Sequence, residues 1–499
     1  MREQCWRPPA ELLAAVDVTR LGRMPVRGTC ILGSVVRIAL AMLAYIASAS
    51  ALDNSVPSAL SSASPAATSA AAKPAYPLKA SANNRYLVDQ DNVPFLMVGD
   101  SPQALIGSLS QAQAATFIAN RLKYGINALW INLLCNDSIG CNSDGTTFDG
   151  IAPFTVPGDI STPNPVYFQR AEDMIRLAAT YGMTVILDPI ETVGWLNTLR
   201  ANGVARAFAY GQYLGDRYKD FPNIIWMHGN DFQSWRNPTD TGLVQAVALG
   251  IKSADPNHLH TVELNFLTSG SLDDPSWAPI VGLSAAYTYY PTYAQVLKEY
   301  NRPKFKPVFM VEANYEFEHN PGTDGGSTQN LRRQAYWTML SGVTGQLYGS
   351  FYSWRFPREW QTHLDTPGIC QFSYMSQLFG TRNWHDLIPD QAHAIVTEGR
   401  GKFSTIGSIA TNTYVTAART SDGSLVMAYM PTVRTITVDM SKLAGITTAR
   451  WFDPANDTYI AIDGSPFANA GGRQFTPAGN NSAGDGDWVL VLEAAARPK

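Results

Sequence analysis

The sequence predicts an α/β fold, a (β/α)8 barrel over residues 78–385, followed by a small antiparallel β-sandwich over residues 386–499. Two patterns carry this prediction. From Leu78 to about Gly380, apolar and β-prone runs alternate with segments of helical periodicity; after Pro389 the texture changes to short alternating runs between turn dipeptides. Eight strands with intervening helices are the signature of a closed parallel barrel. A doubly wound open sheet is the alternative, but no Gly-rich dinucleotide loop follows any of the strands.

The strand-like runs are PFLMVGD (94–100), NALWINLL (127–134), TVILDPI (184–190), NIIWMHGND (223–231), LHTVELN (259–265), LSAAYTYY (283–290), KPVFMVEAN (306–314) and QLYGSFYSW (346–354). Runs so poor in polar alternation suit strands buried on both faces. Helical segments are expected over 111–124, 167–181, 205–219, 243–254 and 331–343, and Tyr124-Gly125 and Tyr181-Gly182 read as helix stops. In the last hundred residues, TYVTAART, SLVMAYM, TITVDM, ARWFDP and DWVLVLE alternate with turns at Asp422-Gly423, Asp463-Gly464 and Asp485-Gly486. That spacing reads as hairpins.

Ahead of the barrel, residues 52–77 form an Ala/Ser/Pro-rich linker, and residues 1–51 read as a leader with an export signal. Arg27 and Arg37 precede the apolar run IALAMLAYIA (38–47), and Ala49 and Ala51 carry the spacing of a cleavage site. Acids at Glu3, Glu11 and Asp17 are foreign to a signal, so Met24 is the alternative start. The apolar run is too short to span a bilayer comfortably. The expectation is a periplasmic or secreted protein, cut after Ala51 and without a membrane anchor thereafter. Cys135 and Cys141, six apart around a turn, could close a disulfide loop in such a compartment.

The chain has 499 residues, 45% hydrophobic, with a formal net charge of −4, which leaves no basic footprint for nucleic acid. Seven His are scattered without metal-ligand spacing, and neither a metal nor another cofactor is expected. The sequence is silent on oligomeric state.

The chemistry is concentrated at two strand ends. IIWMHGND ends in Asp231 and VFMVEAN carries Glu312, the fourth and seventh strands of the count, whose ends face one another across the C-terminal mouth of a barrel. Two carboxyls so placed are the minimum equipment for hydrolysing a glycosidic bond. Asn230 is positioned to meet a sugar hydroxyl. Further strand-end candidates for gripping hydroxyls are Asp100, Asn132, Asp188, His228, Tyr287 and Tyr289, with Trp354 as a sugar platform. Other readings exist: Asp100 before Ser-Pro as a turn cap, His228 as a core histidine, and one of the two same-face tyrosines as packing. Glu263 is a further acid near a strand end, able to pair with an Arg instead.

An Asn-acid pair on strand four with a Glu on strand seven resembles the large clan of retaining glycosidases built on (β/α)8 barrels. Most of that clan has Asn-Glu where this chain has Asn230-Asp231. More narrowly, FLMVGDSPQAL (95–105), NALWINLL (127–134), LDP (187–189), WMHGND (226–231), AYTYYPTY (286–293), MVEANYE (310–316) and DGDWVLVLE (485–493) resemble the apiosidase-like glycoside hydrolases with an appended β-domain, sometimes labelled collagen-binding. The resemblance covers both domains. It implies Asp231 as general acid/base, Glu312 as nucleophile, and a carbohydrate substrate from which apiose or a related pentose is released. Another pentosidase activity, such as that of an arabinofuranosidase, and a non-catalytic carbohydrate-binding barrel are the alternatives.

Overall fold

The computed structural model describes residues 73–495; the expected signal and the linker up to residue 72 lie outside them. Eight parallel strands form the barrel: β1 Met97–Asp100, β2 Ala128–Asn132, β3 Thr184–Asp188, β4 Ile224–Phe232, β5 His260–Leu264, β6 Ser284–Thr288, β7 Val308–Glu312 and β8 Gly345–Tyr348. They neighbour one another in chain order, with β8 paired to β1. The seam between β5 and β6 closes differently. Gly282 and Leu283 amides donate to the His260 carbonyl, and the Ser271 hydroxyl donates to Val262 O at 2.6 Å while accepting from Ala285 N at 2.8 Å. A side chain thus replaces missing backbone ladder bonds. A short strand, Thr268–Gly270, pairs antiparallel with β6 beside this seam.

Around the barrel lie α1 Gln111–Lys123, α2 Pro165–Thr180, α3 Thr192–Tyr218, α4 Pro238–Ala254, α5 Thr292–Tyr300, α6 Thr328–Met339 and α7 Pro367–Gly380. Their starts are capped as their sequences allow: Ser110 and Gln113 form a reciprocal capping box, and Asn164 and Asn237 cap helices that open on proline. Gly125 and Gly182 take the left-handed conformation just past α1 and α2, as the Tyr-Gly pairs predict. Helix α3 is longer than its expected 205–219, because two helical segments meet at Gly203, whose backbone is not helical. The eighth run is shorter as a strand than expected. After Tyr348 the chain turns into a short helix, Phe351–Trp354, capped by Ser350, so Trp354 sits beyond the strand.

Inward-facing Met97, Trp130, Ile186, Ile225, Met227, Ala285, Phe309, Val311 and Leu347 fill the barrel. The alternate residues, among them Val98, Leu129, Val185, Trp226 and Val262, pack on the helices. Burial of both faces is why these strands read as unbroken apolar runs. Cys135 and Cys141 are disulfide-bonded in the long connection between β2 and α2.

The C-terminal region holds β9 Leu387–Pro389, β10 Val396–Glu398, β11 Thr416–Thr420, β12 Leu425–Met430, β13 Ile436–Asp439, β14 Thr447–Asp453, β15 Thr458–Ala461, β16 Gly472–Phe475 and β17 Trp488–Ala494. They make a six-stranded antiparallel sheet, β9-β11-β12-β17-β14-β15, and a three-stranded one, β10-β13-β16. Val426, Ala428 and Met430 of β12 point into the sandwich, while Met427 and Tyr429 join the core shared with the barrel helices. Tyr429 stacks on Tyr336 of α6 with ring centroids 5.1 Å apart.

Candidate active site

Strand β4 ends in a bulge. His228 pairs with Val262 and Phe232 with Leu264, so Gly229, Asn230 and Asp231 stand opposite a single residue of β5, Glu263. All three have positive φ, 106°, 58° and 52°. For Asn and Asp that conformation costs about 1–2 kcal/mol each, and it is kept where the surroundings over-determine it. Here they do. The Thr192 hydroxyl donates to Asn230 O at 3.0 Å, Asn132 Nδ2 donates to Asn230 Oδ1 at 2.9 Å, and the Asp231 amide donates to Glu263 Oε2 at 3.1 Å. Position 229 must be glycine, because a Cβ there would lie 2.1 Å from the Glu263 carbonyl oxygen. The bulge brings the short Asp231 side chain within 2.7 Å of the Tyr287 hydroxyl.

Asp231 and Glu312 meet through one phenol. The Tyr287 hydroxyl lies 2.7 Å from Asp231 Oδ1 and 3.1 Å from Glu312 Oε1. The two carboxylate oxygens are therefore no farther apart than those distances laid end to end, about 5.8 Å. Tyr289 also donates to Glu312 Oε1, and Tyr315 donates to Glu312 Oε2 at 2.7 Å while accepting from Gln103 Nε2 at 3.2 Å. Burial keeps all three phenols protonated, with pKa values well above the ordinary tyrosine value, so they act as donors.

Burial pushes Asp231 up to about 6, against the pull of the Tyr287 hydrogen bond. Glu312 is pushed up to about 8, first by burial and then by the negative charge of Asp231. Taken one at a time, these values would leave a shared proton on Glu312. The donor arrangement favours the opposite placement, on Asp231. A hydroxyl has one proton, so Tyr287 cannot satisfy two carboxylates at once; a protonated Asp231 donates to the Tyr287 oxygen and frees the phenol proton for Glu312. Tyr289 and Tyr315 add two more donors to Glu312 and none to Asp231. Hydrogen bonds to the charged form favour it, so these donors work to ionise Glu312 against the burial and the Asp231 charge that raise it.

The remaining expected site residues divide by the face they occupy. Asn132 and Asp188 point into the barrel on the same faces as Trp130 and Ile186. Asn132 Oδ1 accepts from Trp130 Nε1 at 2.9 Å, which makes Asn132 a strut under Asn230. Asp188 caps the following turn through Ile190 N at 3.0 Å; burial first and then Glu191 hold its carboxyl well above the usual range. Both Tyr287 and Tyr289 reach Glu312; neither is merely packing. Trp354 donates its Nε1 to Glu318 and carries Arg355 over its ring. Two residues face away. Asp100 is paired with Arg121 of α1 and bonded by the Ser353 hydroxyl at 3.0 Å. His228 stacks on Trp277 and hydrogen-bonds His260 at 3.0 Å in the helix-facing layer. From these positions neither can grip a substrate hydroxyl. Sequence reasoning gave Tyr315, Gln103 and Thr192 no role. Tyr315 lies three residues past Glu312 inside the MVEANYE run, which was the available signal.

Beside Asp231 opens a depression of about 470 Å³ lined by Thr192, Val193, Leu196, Gln233, Ser234 and Phe266. None of the ion pairs among the described residues involves Asp231, Glu263 or Glu312. Among those residues, too, no group of three or more His, Cys, Asp or Glu is arranged to hold a metal ion. No helix there is long and apolar enough to cross a membrane.

Comparison with known proteins bears on both domains. Residues 404–493 match the family model described as "Putative collagen-binding domain of a collagenase". Among curated proteins none matches. The chain is similar to a solved structure titled a glycoside hydrolase, at 23% identity over 84% of this chain and 97% of that one, TM-score 0.72. It is also similar to a glycoside hydrolase family 5 protein from Bacteroides vulgatus, at 21% identity over 84% and 94% of the two chains, TM-score 0.72. At such identities the likeness speaks for the barrel and its appended domain as a fold. Residues 81–386 match the model described as "Apiosidase-like, catalytic domain", and the chain belongs to this apiosidase-like family of glycoside hydrolases.

Proposed function

We propose that the protein is a retaining exo-glycosidase that releases apiose or a related pentose from plant-type glycans or glycosides. The observation that carries the mechanism is the single Tyr287 hydroxyl within hydrogen-bonding distance of both Asp231 and Glu312. A limit of about 5.8 Å between the nearest oxygens favours the spacing of retaining enzymes, about 5–5.5 Å, over the roughly 6.5–9.5 Å that leaves room for an attacking water. Glu312, ionised and held by Tyr289 and Tyr315, attacks the anomeric carbon. Asp231 gives its proton to the departing oxygen. A glycosyl ester on Glu312 results. Asp231, now ionised, takes a proton from water, which attacks the same carbon and returns Glu312 as carboxylate. With its oxygen taken by Asn132, what Asn230 has left to offer a sugar hydroxyl is its NH2 group.

The pentose comes from the family to which the catalytic domain belongs. The depression beside Asp231 gives a substrate access to that carboxyl. The Cys135–Cys141 disulfide and the apolar run at 38–47 support work outside the cytoplasm. The test is product analysis by NMR on a panel of apiose- and arabinose-bearing substrates. Release of apiose with the anomeric configuration of the substrate is expected. Inverted product excludes the two-step mechanism, and release of arabinose alone excludes the sugar.

A further inference from the structure

Glu263 is the one residue of β5 that faces the three-residue bulge of β4, and its backbone lies against Gly229. Within the bulge the Asp231 amide has lost its ladder partner, and the side chain of Glu263 takes it at 3.1 Å. Its other oxygen, Oε1, is buried without a hydrogen-bond partner among the described residues. Alternation along β5 sets Val262 and Leu264 among the helices and Glu263 inside the barrel. There the groups that face it are Asp188 of β3, Asp231 of β4, Tyr287 of β6 and Glu312 of β7, all acids or a phenol. No Lys or Arg pairs with it among the described residues, so the expected alternative of an Arg partner does not apply.

We propose that Glu263 is a positioning residue for the catalytic acid: by accepting the Asp231 amide it fixes the bulge that carries the short Asp side chain to the glycosidic oxygen. The proposal rests on the reading of Asp231 as acid/base. Glu263 does this as a neutral carboxyl. A negative charge at full burial, beside two other carboxyls and without a cation, is strongly disfavoured, and burial followed by the charges of Glu312 and Asp231 holds its pKa well above the usual range. A neutral neighbour also leaves Asp231 free to lose its proton once Glu312 has become an ester. A charged one would oppose that loss in the second half of the cycle.

The experiment compares Glu263→Gln and Glu263→Leu with the wild type, on an aryl glycoside with an acidic phenol and on an alkyl glycoside, across pH. Glutamine keeps the acceptor and carries no charge, so kcat/KM and both limbs of the pH profile should stay in place. Leucine removes the acceptor and lets Asp231 drift. The alkyl glycoside, which needs a proton, should then lose about 100-fold in kcat/KM, and the activated aryl glycoside, whose phenol leaves unaided, far less. An alkaline limb displaced in Glu263→Gln would mean the residue works charged and would overturn the proposal. So would equal losses of kcat/KM on both substrates in Glu263→Leu. If Glu263→Leu does not fold, the Glu263→Gln profile alone still decides between neutral and charged. Asp231→Ala serves as control: leaving-group dependence there but not in Glu263→Leu overturns the positioning role alone, whereas no dependence in Asp231→Ala overturns the acid assignment with it.

Discussion

Arg332 of α6 donates to both oxygens of Asp487, from Nε at 2.9 Å and from Nη2 at 2.8 Å, across the junction between the barrel and the β-domain. Both side chains are buried, and Asp485 adds a third contact at 2.6 Å. The neighbouring Arg333 caps the Ile409 carbonyl, and Asp324, in the loop after β7, accepts from Ala410 N at 3.0 Å. The β-domain thus holds the helix and the loop that follow the strand of Glu312. Asp487→Ala would leave the buried guanidinium with Asp485 as its remaining carboxylate partner, so it should cost about 1.5–3 kcal/mol, seen as a lower denaturation midpoint. An unchanged midpoint would show that the junction contributes nothing.

A second expectation concerns pH. The carboxyl pair holds one proton in its working state, and its two steps lie near about 6 and about 8 and belong to the pair. On an alkyl glycoside, kcat/KM should peak between these values. It falls on the acid side as Glu312 takes up a proton and on the alkaline side as Asp231 loses one. With an activated aryl leaving group the alkaline fall should weaken. A profile still rising at pH 9 on the alkyl substrate would exclude a proton donor in this pair.

Tyr289→Phe and Tyr315→Phe each remove one donor from Glu312. A carboxylate that loses such a bond becomes a stronger base, so the acid limb should move to higher pH. A hydrogen bond to a charged group is worth about 1.5–3 kcal/mol, which translates to roughly 10- to 100-fold in kcat/KM. An unshifted acid limb in both variants would remove the phenols from the account of Glu312.

The barrel was legible because its strands are buried on both faces and its helices carry ordinary caps and stops. Part of the site was legible in the same way. Met227 points inward, so period two puts His228 outward, and Gly99 inward puts Asp100 outward. That alternation was available, and it outweighs the nearness of Asp100 and His228 to a strand end. What sequence could not give was the bulge, which depends on partners from β2, α3 and β5 that are dispersed along the chain. Asp485 and Asp487 read as hairpin residues, and their pairing with Arg332, more than a hundred residues earlier, leaves no local trace.

Glu191 gives a prediction independent of catalysis. It caps α3 through Gly194 N at 2.8 Å, its other oxygen is buried without a partner among the described residues, and burial pushes its pKa up to about 7. A carboxyl raised in the folded state favours folding fully below its unfolded value of about 4.5, and that advantage is lost as pH rises to about 7. Glu191→Gln keeps the cap and removes the titration. Compared with their difference at pH 4, the variant should gain about 3 kcal/mol on the wild type by pH 8. A stability difference that does not change with pH would show that Glu191 ionises as freely folded as unfolded.

The roles of Asp231 and Glu312 separate by leaving group and by rescue. Asp231→Ala should be severe for alkyl glycosides, whose departing alkoxide needs a proton, and mild in the first step for an aryl glycoside with an acidic phenol. The second step still lacks its base, so the glycosyl-enzyme should accumulate and appear as a burst of phenol. Azide needs no deprotonation. It should restore turnover in Asp231→Ala by attacking the ester on Glu312, and two displacements give a glycosyl azide of retained configuration. In Glu312→Gly the anion occupies the space of the missing carboxylate and attacks once, which gives the inverted azide. Without azide that variant should lose several orders of magnitude in kcat, because the covalent step has lost its nucleophile. NMR of the two azides reads the assignment directly. Inverted azide from Asp231→Ala would exchange the roles, and equal losses on good and poor leaving groups would move the acid to another carboxyl of the same pocket, with Glu263 the nearest.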